Sequence, residues 1–401
     1  MIILGSAPKP AGHSTRPPLP PFLGHQLAAF RRALLKWFAA KRRALPWRQS
    51  RDPYRIWVAE IMLQQTRIAA VVPYYQQFLE RFPTIAELAR SDEAEVLRLW
   101  SGLGYYQRAR NLQRAAREIV ELHGGTFPRD AEVARMLPGI GDYTLAAVLS
   151  IAYGKPLAAL DGNIARVLAR LGAVQMPLRE PKTRRKLQEE AQRLLALRHS
   201  GDWNQALMEL GETVCTPRSP CCGECPVARW CRARAMGLEA EIPAKRMLRR
   251  GVRVTLGAVV LCDPRGKTLL LRSPGHHDAV LFSRLRQFPA IEIIGDMRDG
   301  ADDGVWEEAK RRATTQIRNY LRDEFALQKL PTKSFRQLPA LRHAVTFRDV
   351  VLLPVLVRVP RLPQHPEGEA VPLQDVPHMP ISSATRKIAR AALATLGELP
   401  T

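Results

Sequence analysis

The stretch at residues 215–231, CTPRSPCCGECPVARWC, holds five of the six cysteines in the chain, and the sixth, Cys262, lies far from it. Thiols clustered in one short loop are typical of a metal centre in a reducing compartment, not of a distributed disulfide framework. Four of them have the spacing C-x6-C-x2-C-x5-C, namely Cys215, Cys222, Cys225 and Cys231. Four thiolates on a compact loop favour one [4Fe-4S] cluster, with a zinc ion or disulfides as the other options. Cys221 is the spare thiol, because using it in place of Cys222 breaks the spacing.

The residues on either side of this loop differ in pattern. From residue 26 to 238, apolar residues recur every three or four positions, as in HQLAAFRRALLKWFAAKRR, which predicts helices. After a basic linker at 239–251, β-rich runs such as VRVTLGAVVLC and DVVLLPVLVRV alternate with helical stretches. We therefore predict a mainly α domain over 26–238 and an α+β domain over 252–398. Residues 1–25 are proline-rich and are expected to be disordered.

The charge of the chain indicates its class of partner. Of 401 residues, 61 are Lys or Arg and 38 are Asp or Glu, a formal net charge of +23. This excess of positive charge indicates that the binding partner is nucleic acid rather than an anionic membrane surface. No apolar run reaches the roughly 18 residues that a membrane span needs, and the opening MIILGSAP does not resemble a secretory signal. We expect a cytoplasmic, nucleoid-associated monomer without a membrane partner.

The segment LPGIGDYT at residues 137–144 predicts a tight hairpin that leads into a helix. Gly139 and Gly141 permit a turn whose backbone N–H groups point outward. The helix that follows adds its positive dipole end at the same place, so the hairpin can hold a DNA phosphate without reading sequence. On this segment alone, an ordinary helix–helix turn is an equally good interpretation.

The order of these motifs is similar to that of a known family. LPGIGDYT, then LDGNIARVL, then the cysteine spacing form the pattern of helix–hairpin–helix DNA glycosylases with an iron–sulfur loop. LPWRQSRDPYRIWVAEIMLQQTR and GLGYYQRARNL narrow the resemblance to adenine DNA glycosylases of the MutY type, over roughly residues 45–235. The resemblance implies a repair enzyme that binds double-stranded DNA and removes adenine mispaired with 8-oxoguanine or guanine.

Two carboxylates fit that chemistry. Glu60 shares a helical face with Ile56 and Leu63, so its carboxyl is expected to be desolvated and its pKa raised, which suits a general acid. Asp161 precedes a predicted helix, whose backbone donors and dipole are expected to lower its pKa and keep it ionised. An acid for the leaving purine and a carboxylate for the cationic sugar are what this bond cleavage requires. A Glu paired with an Arg and an ordinary helix cap are the plainer interpretations.

The resemblance also assigns supporting roles. It implies that Glu60 protonates adenine at N7 and that Tyr143 and Asn163 align the site. Related enzymes that nick the strand carry Lys at the position of Tyr143, and a phenol cannot form the imine that they use. We therefore expect a monofunctional glycosylase that leaves an abasic site.

Other residues are expected to contact the DNA. The target base must be flipped out of the duplex. The resemblance implies that Arg48 and Leu63 line the adenine pocket, and that Gln65, beside Gln64, occupies the vacated place. Tyr105 is expected to wedge beside the opposing base. Arg108 and Arg110 are expected to contact phosphates, or to form a solvated face; they follow Tyr105 in the sequence.

The second domain resembles, in its layout, the NUDIX-like part with which the family recognises 8-oxoguanine. No acidic REXXEE-like stretch is found, so diphosphate hydrolysis is not expected. The family's FSH loop is replaced here by Val-Thr-Phe at 345–347, in which Thr346 keeps a hydroxyl group. Three other functions stay open: a thymine mismatch glycosylase of the same fold, an inactive mismatch-binding protein, and a zinc-dependent DNA-binding module.

Overall fold

The computed structural model describes residues 24–244, 252–272, 285–293, 303–328, 330–345 and 348–397. Their contacts divide the chain into two units. Unit 1 comprises residues 1–64 and 121–246, and unit 2 comprises residues 65–120 and 247–401. Within the described ranges, no helix is both long enough and apolar enough to cross a membrane.

The described residues up to 244 are helical, as the periodicity predicts. The α-helices are α1 Gly24–Lys41, α2 Pro53–Leu63, α3 Ile68–Arg81, α4 Ile85–Arg90, α5 Glu93–Leu99, α6 Gln107–Leu122, α7 Ala131–Met136, α8 Asp142–Tyr153, α9 Gly162–Gly172, α10 Pro181–Leu194, α11 Ser200–Thr213 and α12 Arg232–Ala235. Of these, α3 to α6 belong to unit 2, apart from the last two residues of α6, and the others belong to unit 1.

Helix α8 lies at the centre of unit 1. Its residues 144–150 are all buried, and α2 and α11 both pack against it. Helices α1, α9 and α11 share a second part of this core, which contains Phe30, Leu168 and Trp203. Because each of these side chains is fully buried, the core fixes the positions from which α2, α8, α9 and α11 present their polar residues.

Unit 2 has two parts. In its helical part, Phe78 contacts Phe82 and Trp100 edge to face, at ring-centroid distances of 5.1 and 5.9 Å. Its second part is a sheet with helices. The elements are β1 Val252–Cys262, β2 Lys267–Arg272, β3 Arg286–Gln287, β4 Ala290–Glu292, α13 Asp303–Phe325, β5 Phe335–Gln337, β6 Leu341–Val345, β7 Arg348–Arg358, β8 Gly368–Pro372 and α14 Ser383–Gly397.

The sheet has the order β3-β2-β1-β7-β5, with β4 also paired to β1, β6 to β7 and β8 to β2. Strands β1 and β7 are parallel over their whole length, from Val252 opposite Arg348 to Cys262 opposite Arg358. The other pairs of the described strands are antiparallel.

The two faces of this sheet carry different helices. Val259 and Leu261 of β1 pack with Ile317 of α13, whereas Val260, between them, packs with Ile388 of α14. Successive strand residues point to opposite faces, so the apolar run of β1 contributes to two cores. The prediction of a helical domain followed by an α+β domain is confirmed, and the bounds 26–238 and 252–398 stay predictions.

Candidate active site

Glu60 lies in the last turn of α2, and only 5% of its surface is exposed. Burial raises the pKa of the Glu60 carboxyl to about 7, and the charge of Asp161 adds to this shift. A hydrogen bond from Tyr143 and the charge of Arg48 oppose it. The predicted direction of the Glu60 pKa is therefore confirmed, with burial as its main cause.

Tyr143 is the partner of Glu60. It lies in the first turn of α8, and its hydroxyl donates to Oε2 of Glu60 over 2.6 Å. The same hydroxyl lies 3.6 Å from Sδ of Met208 on α11. Burial and the neighbouring Glu60 raise the pKa of Tyr143 well above its ordinary value, so the phenol stays a hydrogen-bond donor to the carboxylate.

Asp161 occupies the N-cap of α9, as predicted, and its Oδ1 accepts a hydrogen bond of 2.7 Å from the backbone N–H of Ile164. The expected lowering of its pKa is wrong, because burial raises the pKa of Asp161. The backbone N–H groups of Ile164 and Asn163 lower it, and the charge of Glu212 raises it further. Sequence reasoning recognised the helix dipole but not the loss of water around the cap.

An ion-pair group borders this site. Glu209 of α11 is buried, and its carboxylate accepts hydrogen bonds of 2.8 Å from Nε and Nη2 of Arg43 and from Nη2 of Arg48. Burial alone would raise the pKa of Glu209, but these hydrogen bonds lower it to about 2. The guanidinium of Arg48 also lies 5.3 Å from the ring centre of Phe38. Arg48 is thus held rigidly by charge and by packing.

Glu212, one helical turn after Glu209, adds a third carboxylate near Glu60. Its Oε2 accepts a hydrogen bond of 2.6 Å from Nη2 of Arg43, and its Oε1 lies 3.4 Å from Nδ2 of Asn163. Oδ1 of Asn163 in turn accepts a hydrogen bond of 3.0 Å from Nη2 of Arg166. Asn163, a predicted site residue, therefore lies between the carboxylate of Glu212 on α11 and the guanidinium of Arg166 on α9.

Sequence reasoning did not predict Arg43, Glu209 and Glu212 as site residues. A usable signal existed, since two acids one turn apart in the apolar run ALMELGETV need cationic partners if that helix is buried. Nothing in the local sequence identified Arg43 as that partner, because 166 positions separate it from Glu209.

Four cysteines line one pocket in unit 1, together with Arg170 and Arg234. Among the described residues, no three His, Cys, Asp or Glu side chains are arranged to hold a single metal ion. Burial raises the pKa of Cys225 to about 12, so bare thiolates would be costly there and a positive centre would lower that cost. The four predicted ligands, Cys215, Cys222, Cys225 and Cys231, lie around this one pocket, and their role as cluster ligands stays a prediction. Cys221 is exposed.

Two arginines of α9 hold this cysteine loop in place. Arg166 donates to the carbonyl oxygens of Cys215 at 2.9 Å and Gly211 at 2.7 Å. Arg170, 2% exposed, donates to the carbonyl oxygen of Thr216 at 2.7 Å and approaches Sγ of Cys215 at 3.3 Å. The loop is therefore tied to the helix that Asp161 caps.

The hairpin forms as predicted. Gly139 has φ +81°, a left-handed backbone that favours glycine, and Gly141 is the N-cap of α8. Helix α2 ends at Leu63, and Gln64 at its C-cap donates from Nε2 to Oγ1 of Thr144 over 3.3 Å. The hairpin helix and the end of α2 are thus adjacent within unit 1.

Gln65 and Tyr105, both in unit 2, have left-handed backbones with φ +59° and +48°. Such conformations are costly for residues other than glycine and often occur at functional sites. Tyr105 is 51% exposed, as a residue that contacts another molecule would be. Thr346, the predicted 8-oxoguanine contact, lies outside the described residues.

The expected phosphate contacts of Arg108 and Arg110 stay a prediction, whereas the alternative of a solvated face is wrong. Arg108 donates to the carbonyl oxygens of Leu103 and Gly104, over 3.1 and 3.2 Å, and lies beside the ring of Tyr105. Arg110 donates to Glu93 over 2.8 Å and is largely buried. Both guanidinium groups are used within unit 2: Arg108 supports the loop before α6, and Arg110 joins α6 to the start of α5.

Part of the chain is similar in sequence to known proteins. Residues 58–195 match the model of the HhH-GPD superfamily base excision DNA repair proteins. The adenine DNA glycosylase of Homo sapiens is 45% identical over 218 residues, which cover 52% of this chain and 40% of that protein. The adenine DNA glycosylase of Buchnera aphidicola subsp. Baizongia pistaciae is 37% identical over 205 residues, covering 51% of this chain and 58% of that protein.

A solved thermostable thymine-DNA glycosylase is 30% identical, with a TM-score of 0.48 over 52% of this chain and 97% of that one. The chain spans about two fifths to three fifths of the length of the curated relatives it matches. Glu60, Tyr143 and Asp161 all lie within the matched residues 58–195. Through this region, the chain belongs to the HhH-GPD superfamily of base excision DNA repair proteins.

Proposed function

We propose that this protein is an adenine DNA glycosylase, which hydrolyses the N-glycosidic bond of adenine mispaired with 8-oxoguanine or guanine. The observation that carries the proposal is the pair of carboxylates in one site. Glu60 has a pKa of about 7 next to a second carboxylate, Asp161, and a donor, Tyr143. The relatives named adenine DNA glycosylase, at 37 to 45% identity, support the choice of substrate.

Glu60 acts as the general acid. With a pKa of about 7, a substantial fraction of its carboxyl carries a proton near neutral pH. The proton passes from this carboxyl to N7 of the flipped adenine, so that the base leaves neutral. Tyr143 keeps Oε2 of Glu60 occupied as an acceptor, which fixes the orientation of the carboxyl.

Asp161 stabilises the cation that forms on the sugar. Burial raises the pKa of Asp161 in the free protein, so the developing positive charge does part of the work of keeping it ionised. The Ile164 N–H holds Oδ1 of Asp161, and the carboxylate faces the sugar from this fixed position at the helix N-terminus. A water molecule then completes hydrolysis, and an abasic site is left because Tyr143 cannot form an imine.

The hairpin and the strained residues supply the DNA contacts in this proposal. The N–H groups around Gly139 and Gly141, at the N-terminus of α8, bind a backbone phosphate. Gln65 and Tyr105, whose left-handed backbones are a feature common at functional sites, enter the duplex where the adenine leaves it. Arg48 and Leu63 line the adenine pocket, with Gln64 beside them.

The four cysteines hold one [4Fe-4S] cluster. When bound, the cluster supplies a rigid positive centre that orders the loop, as metal sites in small loops do. Cys215 is the ligand that Arg166 and Arg170 hold from α9. Pairing with 8-oxoguanine is read by the second domain, where Thr346 is the proposed contact.

The test is single-turnover base release by the full chain on duplexes that pair adenine or thymine with guanine or 8-oxoguanine. We expect adenine release from both mispairs and an intact strand until alkali is added. Glu60→Gln should abolish release while duplex binding survives, because it removes the proton and keeps the shape. Thymine release without adenine release would contradict the proposed substrate, and release by Glu60→Gln would contradict the proposed acid.

A further inference from the structure

A second pocket in unit 1 contains none of the carboxylates proposed for catalysis. It has a volume of about 140 Å³ and lies between the end of α1, the loop before α2, the end of α8 and the start of α11. Its walls include four arginines, Arg42, Arg48, Arg51 and Arg198, facing one carboxylate, Asp202. Four guanidinium groups against one carboxylate give the lining of the pocket a net positive charge.

The arginines are largely unused in the free protein. Within the described part of the chain, Arg42, Arg51 and Arg198 form no ion pair with a carboxylate. Arg48 is bound to Glu209 through Nη2, but its Nε is buried and has no hydrogen-bond partner among the described residues. Three of the four guanidinium groups therefore line the pocket without an ion pair, whereas the fourth, that of Arg48, is paired with Glu209.

The start of α11 adds donors to the same pocket. His199 is the N-cap of this 14-residue helix and its side chain makes no capping hydrogen bond. The next residue, Ser200, lines the pocket and is 1% exposed, yet its hydroxyl has no partner in the described structure. A buried hydroxyl without a partner is rare, because it loses its bonds to water. An anion at this helix end would accept a hydrogen bond from the Ser200 hydroxyl and would also cap the helix N-terminus.

The helix end is fixed in place by close packing. A Cβ atom added to Gly201 would lie 2.7 Å from the carbonyl oxygen of Ser150 and 2.8 Å from Cα of Ile151. The absence of a side chain lets α11 begin directly against the end of α8, beside Arg198. The donors are therefore held before any ligand arrives, which lowers the entropic cost of binding.

We propose that this pocket, formed by Arg42, Arg51, Arg198 and Ser200 around the N-terminus of α11, is a binding site for a phosphate group. Its ligand is a phosphate dianion or diester, either free or part of a nucleic acid backbone. Guanidinium groups match phosphate oxygens with paired N–H donors, and the helix end contributes a further positive field. The site is separate from the hairpin and does not depend on glycosylase activity.

The test is calorimetric titration of the full chain with inorganic phosphate at low ionic strength. Arg198→Ala should weaken binding by about tenfold or more, because it removes a charge-assisted hydrogen bond. Ser200→Ala, which keeps every charge, should weaken binding by a few fold. Arg185→Ala is the matched control, since Arg185 is an exposed residue of α10 that does not line the pocket. Equal phosphate binding by wild type and all three variants would overturn the proposal.

A second arm identifies the source of the phosphate. Binding of an undamaged duplex is measured against salt for the same three variants. If Arg198→Ala lowers both phosphate binding and the salt dependence of duplex binding, by about one unit of slope, the ligand is a backbone phosphate. If it lowers phosphate binding alone, with duplex binding equal to that of Arg185→Ala, the ligand is a free phosphate. Either result supports the pocket as a phosphate site.

Discussion

The hydroxyl of Tyr143 donates a hydrogen bond of 2.6 Å to Oε2 of Glu60, and the two residues come from different helices, α8 and α2. This bond favours the ionised form of Glu60, whereas burial favours the protonated form and is the stronger influence. The pKa of about 7 is thus the balance of two opposing effects.

Replacement of Tyr143 by Phe should move that balance. Without the phenol donor, the pKa of Glu60 rises further, because the hydrogen bond from Tyr143 lowers it. Activity that needs protonated Glu60 then persists to higher pH, so the alkaline limb of the single-turnover rate should shift upward. The pH profile of adenine release measures this shift. An unchanged limb, with a lower rate at every pH, would show that Tyr143 has only a structural role.

Replacement of Glu212 by Gln should move the same limb the other way. The Glu212 carboxylate raises the pKa of both Glu60 and Asp161 by charge repulsion. Its loss lowers the pKa of Glu60, so activity should fall at a lower pH than in wild type, by less than the Tyr143→Phe shift. Glu189→Gln, on the exposed face of α10, is the control with the same charge change. If both variants shift the alkaline limb equally, the cause is the change in net charge of the protein and not the position of Glu212 near Glu60.

Replacement of Glu60 by Gln should stabilise the protein at high pH. A carboxyl whose pKa is raised by folding favours the folded state below about pH 4.5, and that contribution is lost as the pH rises through 7. Gln cannot ionise, so the variant should be more stable than wild type by up to roughly 3 kcal/mol above pH 8, with little difference at pH 4. Urea unfolding at the two pH values measures this. Equal stability at both would contradict the raised pKa.

Replacement of Glu209 by Gln should have the opposite effect. Folding lowers the pKa of Glu209 to about 2, so its ion pairs stabilise the protein above pH 4.5 and lose their effect as the pH falls toward 2. We expect the variant to lose roughly 1–3 kcal/mol at pH 7, a range reduced for solvent screening of the partly exposed Arg43. Urea unfolding at pH 7 and pH 3 should show a smaller loss at the lower pH.

Replacement of Arg170 by Met should weaken the cysteine pocket. The buried guanidinium bonds the carbonyl oxygens of Ile242, Thr216 and Pro217, and Met leaves these acceptors without donors. We expect less iron per chain and a faster loss of iron to a chelator than in wild type, measured by visible absorbance and metal analysis. Arg185→Met is the matched exposed control. Iron retention equal to that of the control would show that Arg170 does not hold the loop.

Some features of the protein could be predicted from its sequence and others could not. The helical period of residues 26–238 and the apolar runs of β1 and β7 determined the fold class, because burial of one helical stripe or of two strand faces is encoded locally. The burial of Glu60 followed from its apolar neighbours in α2. The raised pKa of Asp161 did not, because its main cause is burial, which depends on tertiary packing and not on the helix cap alone.

The sequence alone determined the four-cysteine grouping, the hairpin glycines and the two carboxylates, since each is a local pattern whose chemistry needs particular residue types at fixed spacing. Only the tertiary structure decided which charges surround them. Arg43 and Glu209 meet across 166 positions, and the arginines of the phosphate pocket come from segments more than 140 positions apart. Electrostatic effects depend on distance in space and on the exclusion of water, and packing sets both only after the chain has folded.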